Sequence, residues 1–254
     1  AMLKKNFSPI KLLDNPAVRE YFQVPENKET FVAIETDKEQ ANPVAYLCYK
    51  HEAIPNEQKG NMDYLVVNYM KSMIENMLNA RLNELTQTAN PPFIFAHVSD
   101  LEFLNSKTKD AFTGIVASKE DGIDSAITAI VREIERVHKF GFTASEYARA
   151  KADYLRMLES AYNERNKVKN GAYVDEYVRH FIDNEPIPGI ENEYAIMNQI
   201  VPNLSVEMVN SLIPALVTDS NLVVNVFFPE KEGLKVPSKE EILAAVNKVK
   251  AETL

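Results

Sequence analysis

The side chains able to hold a metal or attack a carbonyl are four histidines, one cysteine and a surplus of carboxylates. A zinc site needs imidazoles or carboxylates that converge from definite spacings. His51 precedes Glu52, yet the fifth position of an H-E-x-x-H motif falls on Pro55, which blocks the helix needed to bring two ligands to one face. The inverted order, H-x-x-E-H, does not occur. Glu135 and His138 have the E-x-x-H spacing of carboxylate-bridged di-iron bundles, but those require a second such pair, and the sequence has none. Glu176 and His180 stand one helical turn apart; a shared metal and a charge-assisted contact on a solvated helix both fit, and the contact is the better reading. His97 alternates with Phe93 and Phe95 and reads as a hydrogen-bonded core or interface histidine. Cys48 sits between Leu47 and Tyr49 with no nearby charge cluster to activate it, which predicts a buried, inert thiol. No G-x-S-x-G elbow, P-loop or dinucleotide fingerprint is present. The residues therefore predict no metal and no catalytic group in this chain.

The elements that would position these residues follow from periodicity. Residues 4–28 are broken by Pro9, Pro16 and Pro25 and read as a connecting segment, with one short helix around Pro16 to Phe22. Runs 31–36 and 43–49 are β-rich and flank a polar turn, so a hairpin is the simplest expectation. From Met62 to Thr86 apolar residues, many of them Met, recur at helical spacing, as a core stripe does. Runs 93–98 and 111–117 read as two more strands around a polar link. Asp121 to Lys139 is amphipathic, with Ile123, Ile127, Ile130, Ile134 and Val137 inward and Arg132, Glu133, Glu135 and Arg136 outward. Thr143 and Glu146 form a capping box that starts a third helix, running to about Lys167. Helices near 172–181, 192–200 and 206–217, a strand at 222–228 and an amphipathic helix at 238–250 complete the chain. This order lacks repeated strand–helix crossovers, which predicts an α+β two-layer sandwich: a mostly antiparallel sheet with helices on one face. The expected division is a connecting segment over 1–28 and a single domain over 29–254.

Composition narrows the partners. A formal net charge of −9, with Lys and Arg scattered, argues against a nucleic-acid partner. With 45% apolar residues but no apolar run of about eighteen, the chain is expected to fold as a globular unit without a membrane span. One cysteine excludes an internal disulfide framework. The Ala1-Met2 start reads as a cloning remnant, and the chain as an excised piece of a longer protein.

Two segments carry a family resemblance. The stretch 77–85, Met-Leu-Asn-Ala-Arg-Leu-Asn-Glu-Leu, resembles the end of the first helix in second-type domains of the pitrilysin (insulinase) family of zinc metallopeptidases. Gly141-Phe142-Thr143, followed by Glu146 and Ala150-Lys151, resembles that family's Gly-x-Thr-x-x-Glu-Leu-x-x-Ala-Lys helix start, with Tyr147 in place of Leu. The resemblance implies an α+β sandwich of the LuxS and processing-peptidase type. It also implies a place in a clamshell protease, where a zinc-bearing domain pairs with metal-free ones to enclose a peptide. Zinc in that family is bound by an H-x-x-E-H helix and a distant Glu, and this chain lacks the motif, so zinc is expected in a catalytic domain of the parent protein. The metal-free domains usually carry an Arg and, seven residues later, a Tyr that position substrate. The nearest match is Thr86 and Phe93, which offer neither a guanidinium nor a phenolic hydroxyl. The resemblance thus implies a non-catalytic, chamber-forming domain whose partners are the parent's other domains and a peptide substrate. Relatives exported in Gram-negative bacteria point to the periplasm or cell envelope. The alternative is a self-standing binding or assembly module that shares the fold without peptidase activity.

Overall fold

The computed structural model describes residues 2–11, 13–18 and 20–253. Five strands form one sheet: β1 (Phe31–Asp37), β2 (Val44–Glu52), β3 (Phe95–Glu102), β4 (Lys109–Ala117) and β5 (Leu222–Pro229). The helices are α1 (Met2–Phe7), α2 (Met62–Thr86), α3 (Ile123–Phe140), α4 (Ala144–Glu164), α5 (Asn170–Asp183), α6 (Ile190–Ile200), α7 (Val206–Leu216) and α8 (Lys239–Lys250). The α+β two-layer architecture is the one the periodicity predicts.

Strand order is β1-β5-β2-β4-β3, with β1–β5 parallel and the other pairs antiparallel. The expected β1–β2 hairpin is therefore wrong: β5, from near the chain's end, lies between them. The physical reason is visible in side-chain polarity. β5 is apolar on both faces, with Val223 and Phe227 opposite Leu222, Val224, Val226 and Phe228, and a strand of that kind gains most from two neighbours. β1 has only Val32 and Ile34 for the core and ends in Glu35, Thr36 and Asp37, which suits an edge.

The core lies between one sheet face and the helices. Ala45, Leu47 and Tyr49 on β2, Phe112 and Val116 on β4, and the inward side of β5 meet Met73, Met77 and Leu78 of α2 and the isoleucine row of α3. Close approach is enforced at Gly114, where a Cβ would stand 3.0 Å from Ile130 Cδ1 and 3.2 Å from Ile134 Cδ1. The opposite sheet face carries no helix among the described residues. Phe31, Phe95, Leu101 and Phe227 are exposed there, around half-buried Tyr46, Ile115 and Val223.

Other departures are local. The helix expected at 16–22 is absent among its described residues; the short helix is at α1 instead, and Pro25 leads an extended segment onto the sheet. There Asn27 donates from Nδ2 to Leu222 O at 3.0 Å, Lys50 Nζ donates to Pro25 O at 2.6 Å, and Thr108 Oγ1 donates to Phe22 O at 3.0 Å. Backbone pairing with β4 extends β3 through Ser99 to Glu102, residues expected in a loop. Glu133 and Glu135, expected to face outward, are buried at 7% and 5% exposure; two residues apart, they project from opposite flanks of α3, which has α2 packed against it as well as α8.

The helical layer is keyed by one ion pair. Arg81 of α2 donates from Nε to Glu146 Oε1 at 2.6 Å and from Nη2 to Glu146 Oε2 at 3.0 Å. Glu146 also closes the capping box of α4, accepting from Thr143 N at 2.8 Å. Arg81 chiefly, helped by Thr143, holds the Glu146 carboxyl down at about 2 against the opposing effect of burial. A depressed carboxyl contributes stability that is present above about pH 4.5 and is lost as pH falls toward 2. Glu146→Gln is expected to cost on the order of 2–3 kcal/mol in urea denaturation at pH 7 and little at pH 2; an equal loss at both pH values would refute the assignment.

Candidate functional site

The two segments that carry the family resemblance meet in space. α2 presents Arg81 to the turn between α3 and α4, where its guanidinium also lies 4.8 Å from the Phe142 ring centroid and within 3.3 Å of Gly141 O. Gly141 has φ +67°, and a Cβ there would fall 2.6 Å from Asn210 Cγ, so a side chain is excluded twice over. Asn210 of α7 pairs with the Phe142 backbone at 2.9 and 3.0 Å. Tyr147, in place of the motif's Leu, puts its hydroxyl 3.1 Å from Leu204 O and 3.2 Å from Tyr69 OH. Arg81, Thr143 and Glu146 are bonded to one another or to the Gly141 turn, and Asn210 closes that turn from α7, so the chemistry here is that of a joint.

A second polar assembly lies where α2 begins, beside a cleft of about 780 Å³. Asp100 of β3, its side chain 2% exposed, receives His51 Nε2 and Lys71 Nζ, each at 2.6 Å. Its backbone N donates to Glu75 Oε1 at 2.9 Å, and Asp110 of β4 pairs in register with His51. Burial, with the Asp100 charge adding, pushes the Glu75 carboxyl up to about 6; burial also raises Asp110, against the pull of Lys71. Asp100 stays low because its two cations outweigh burial, the largest single effect. This cluster was missed in the sequence. Its signal was polar residues at inward strand positions (Asp100, Asp110) and a Lys71–Glu75 pair at i, i+4.

The residues singled out by sequence fall as follows. Thr86 ends α2 and donates from Oγ1 to Asn83 O at 2.7 Å, while Phe93 is buried in the core. His51 is on β2 and tied to Asp100, and His138 Nδ1 is 4.0 Å from Glu135 Oε2. His180 lies 2.6 Å from Glu185 O, so its contact is not the one expected with Glu176. His97 is exposed on the open sheet face, stacked on Phe95 with centroids 6.3 Å apart, which corrects the core reading: β3 turns that side away from the helices. Cys48 is buried, and burial pushes its thiol up despite Thr113. The histidines belong to separate elements. Among the described residues no three His, Cys, Asp or Glu side chains are arranged to hold a metal, so these residues do not fit zinc.

This fold is that of a domain from the insulinase (M16) class of peptidases, and the chain is similar to a protein named as a zinc protease. The particular likeness is to proteins named PqqL. A zinc protease PQQL-like protein of Arabidopsis thaliana is 24% identical over 253 residues, covering 100% of this chain and 23% of that protein. The periplasmic protease PqqL of Escherichia coli superimposes with a TM-score of 0.82 at 18% identity, covering 100% of this chain and 28% of that one. An insulinase-family protease from Yersinia pestis gives 0.79 at 12% identity, over 98% of this chain and 52% of that one. A peptidase M16 inactive domain from Pseudomonas fluorescens gives 0.59 at 14%, over 85% and 47%. No family model matches the sequence. The chain spans under a third of the Arabidopsis and E. coli proteins, in which its fold is one part.

Removing the Asp100 charge leaves the Lys71 ammonium and the His51 ring without the buried anion they share. Asp100→Asn is therefore expected to destabilise the fold by about 2 kcal/mol or more at pH 7, measured by urea denaturation. Lys71→Met in the same background is expected to recover part of the loss; absence of any recovery would count against the pairing.

Proposed function

We propose that this chain is a non-catalytic domain of a zinc-dependent metalloendopeptidase, where it forms part of the wall of a peptide chamber. The observation that carries this reading is the open sheet face, on which Phe31, Phe95, Leu101 and Phe227 are all at least 40% exposed. A contiguous apolar sheet face is costly to leave in water, and its aromatic side chains supply contact area to an extended peptide without demanding a particular sequence. The absence of the zinc motif from the sequence assigns metal and general base to another domain of the longer protein. Residues 1–28 serve in this reading as the connection to that protein, with 22–27 docked on the sheet by the contacts of Asn27, Lys50 and Thr108. Positions 86 and 93 take no part in holding substrate, since the Thr86 hydroxyl is spent on its own helix and Phe93 is in the core. The periplasmic E. coli protein supports placement in the cell envelope.

The test compares this chain with the full-length protein on a panel of short and long peptides. Hydrolysis is expected only from the full-length protein, and metal analysis of the chain alone is expected to find no stoichiometric zinc. In the full-length protein, Phe95→Glu with Phe227→Glu is expected to raise KM for long peptides several-fold and to leave Thr86→Ala at wild-type rates. Hydrolysis by the chain alone, or unchanged kinetics in the double variant, would sink the proposal.

A further inference from the structure

The amino-terminal half of α2 is fastened differently from the rest of that helix. Its buried side chains begin only at Tyr69, so the preceding turns rest on half-buried residues and on the polar cluster at the strand ends. The turns before Tyr69 have few apolar anchors, and such a segment opens at a lower free energy than the core around it. Beside the core residues Tyr69, Met73 and Ile74, charge adds to what holds this half: Lys71 and Glu75 from α2 against His51 of β2, Asp100 of β3 and Asp110 of β4.

The cluster's charge balance depends on protons. With three ionised carboxylates against one ammonium, Glu75, Asp100, Asp110 and Lys71 sum to −2, and a proton on Glu75 brings the sum to −1. Burial penalises the first state more. The His51 ring is anchored at both nitrogens, with Nε2 2.6 Å from Asp100 Oδ1 and Nδ1 3.1 Å from Glu52 O. Of the remaining cations on the cleft, Lys59 also draws on Asp110. Lys59 donates to Asp183 O at 3.0 Å, and Lys107 is held between Glu102 and Asp183. Glu185 pairs with Arg179, and Tyr64 faces Asp110 and Glu185.

We propose that this cluster is a proton-controlled latch: in mildly acidic solution it fastens the amino-terminal half of α2 to the ends of β2, β3 and β4, and toward neutrality it releases that half and widens the cleft. The sign follows from linkage. The Glu75 carboxyl is raised to about 6, so the fastened form binds more protons than the released form between about pH 4.5 and 6 and weakens as pH rises through that window. Each linked proton changes the opening equilibrium by up to about tenfold per pH unit.

Native-state hydrogen exchange of this chain between pH 4.5 and 7.5, corrected for intrinsic rates, reads that equilibrium. Opening at amides 68–75 is expected to rise at least tenfold across the range while α3 amides hold constant. Glu75→Gln keeps the acceptor for Asp100 N and removes the titration, so it is expected to flatten the response and keep the helix protected at pH 7.5. Should that variant not fold, Asp110→Asn is expected to reduce the response in the same direction. A flat wild-type profile, a variant that retains the wild-type slope, or parallel movement of α3 would each overturn the latch.

Discussion

The ion pair between Arg81 and Glu146 is the constraint from which the helical layer takes its shape. Two parallel N–H···O bonds fix both distance and plane, which a single contact does not. Because Glu146 simultaneously caps α4, the angle of that helix is tied to the position of α2. Gly141, closed against Asn210, then brings α7 to the same point. Three helices that meet the sheet at different places are thus held in one arrangement by a joint of about four residues. The apolar core supplies most of the free energy, but it does not choose among the ways such helices can slide past one another.

With the helices locked on one side, the sheet is left two-faced. Its inner face is filled by the isoleucine row of α3 and the methionines of α2. Its outer face keeps aromatic side chains in contact with water, and the segment carrying Pro25 and Asn27 docks at its end, where Lys50 donates to Pro25. That asymmetry leaves one sheet surface open while the other is packed. The polar cluster on α2 adds charged contacts beside the apolar anchors Tyr69, Met73 and Ile74.

Local signals were strong enough to be read directly where one element decides its own fate. Thr143 marks the start of α4 by side-chain capping, and that helix begins where it requires. The core stripes of α2 and α3 follow from a period of 3.6 residues. Readings that depended on distant chain went astray. The hairpin failed because β5 lies about 170 residues beyond β2, and no periodicity reports which strand a run will pair with. Glu133 and Glu135 were misjudged because α3 is flanked by α2 and α8, elements far from it in the chain. His97 was misjudged because alternation along β3 shows two faces without saying which one meets the core.

What the sequence determined by itself was the set of elements, the α+β class and the absence of a zinc motif, all of which depend on residue types at short spacings. Only the tertiary structure decided that the two family-like segments form one joint, that Phe93 turns into the core, and that His51, Lys71, Glu75, Asp100 and Asp110 assemble into a single cluster. The physical reason is that a charge's effect depends on its distance from other charges and from water. Those distances are set by packing between residues far apart in the chain, and spacing along the sequence does not encode them.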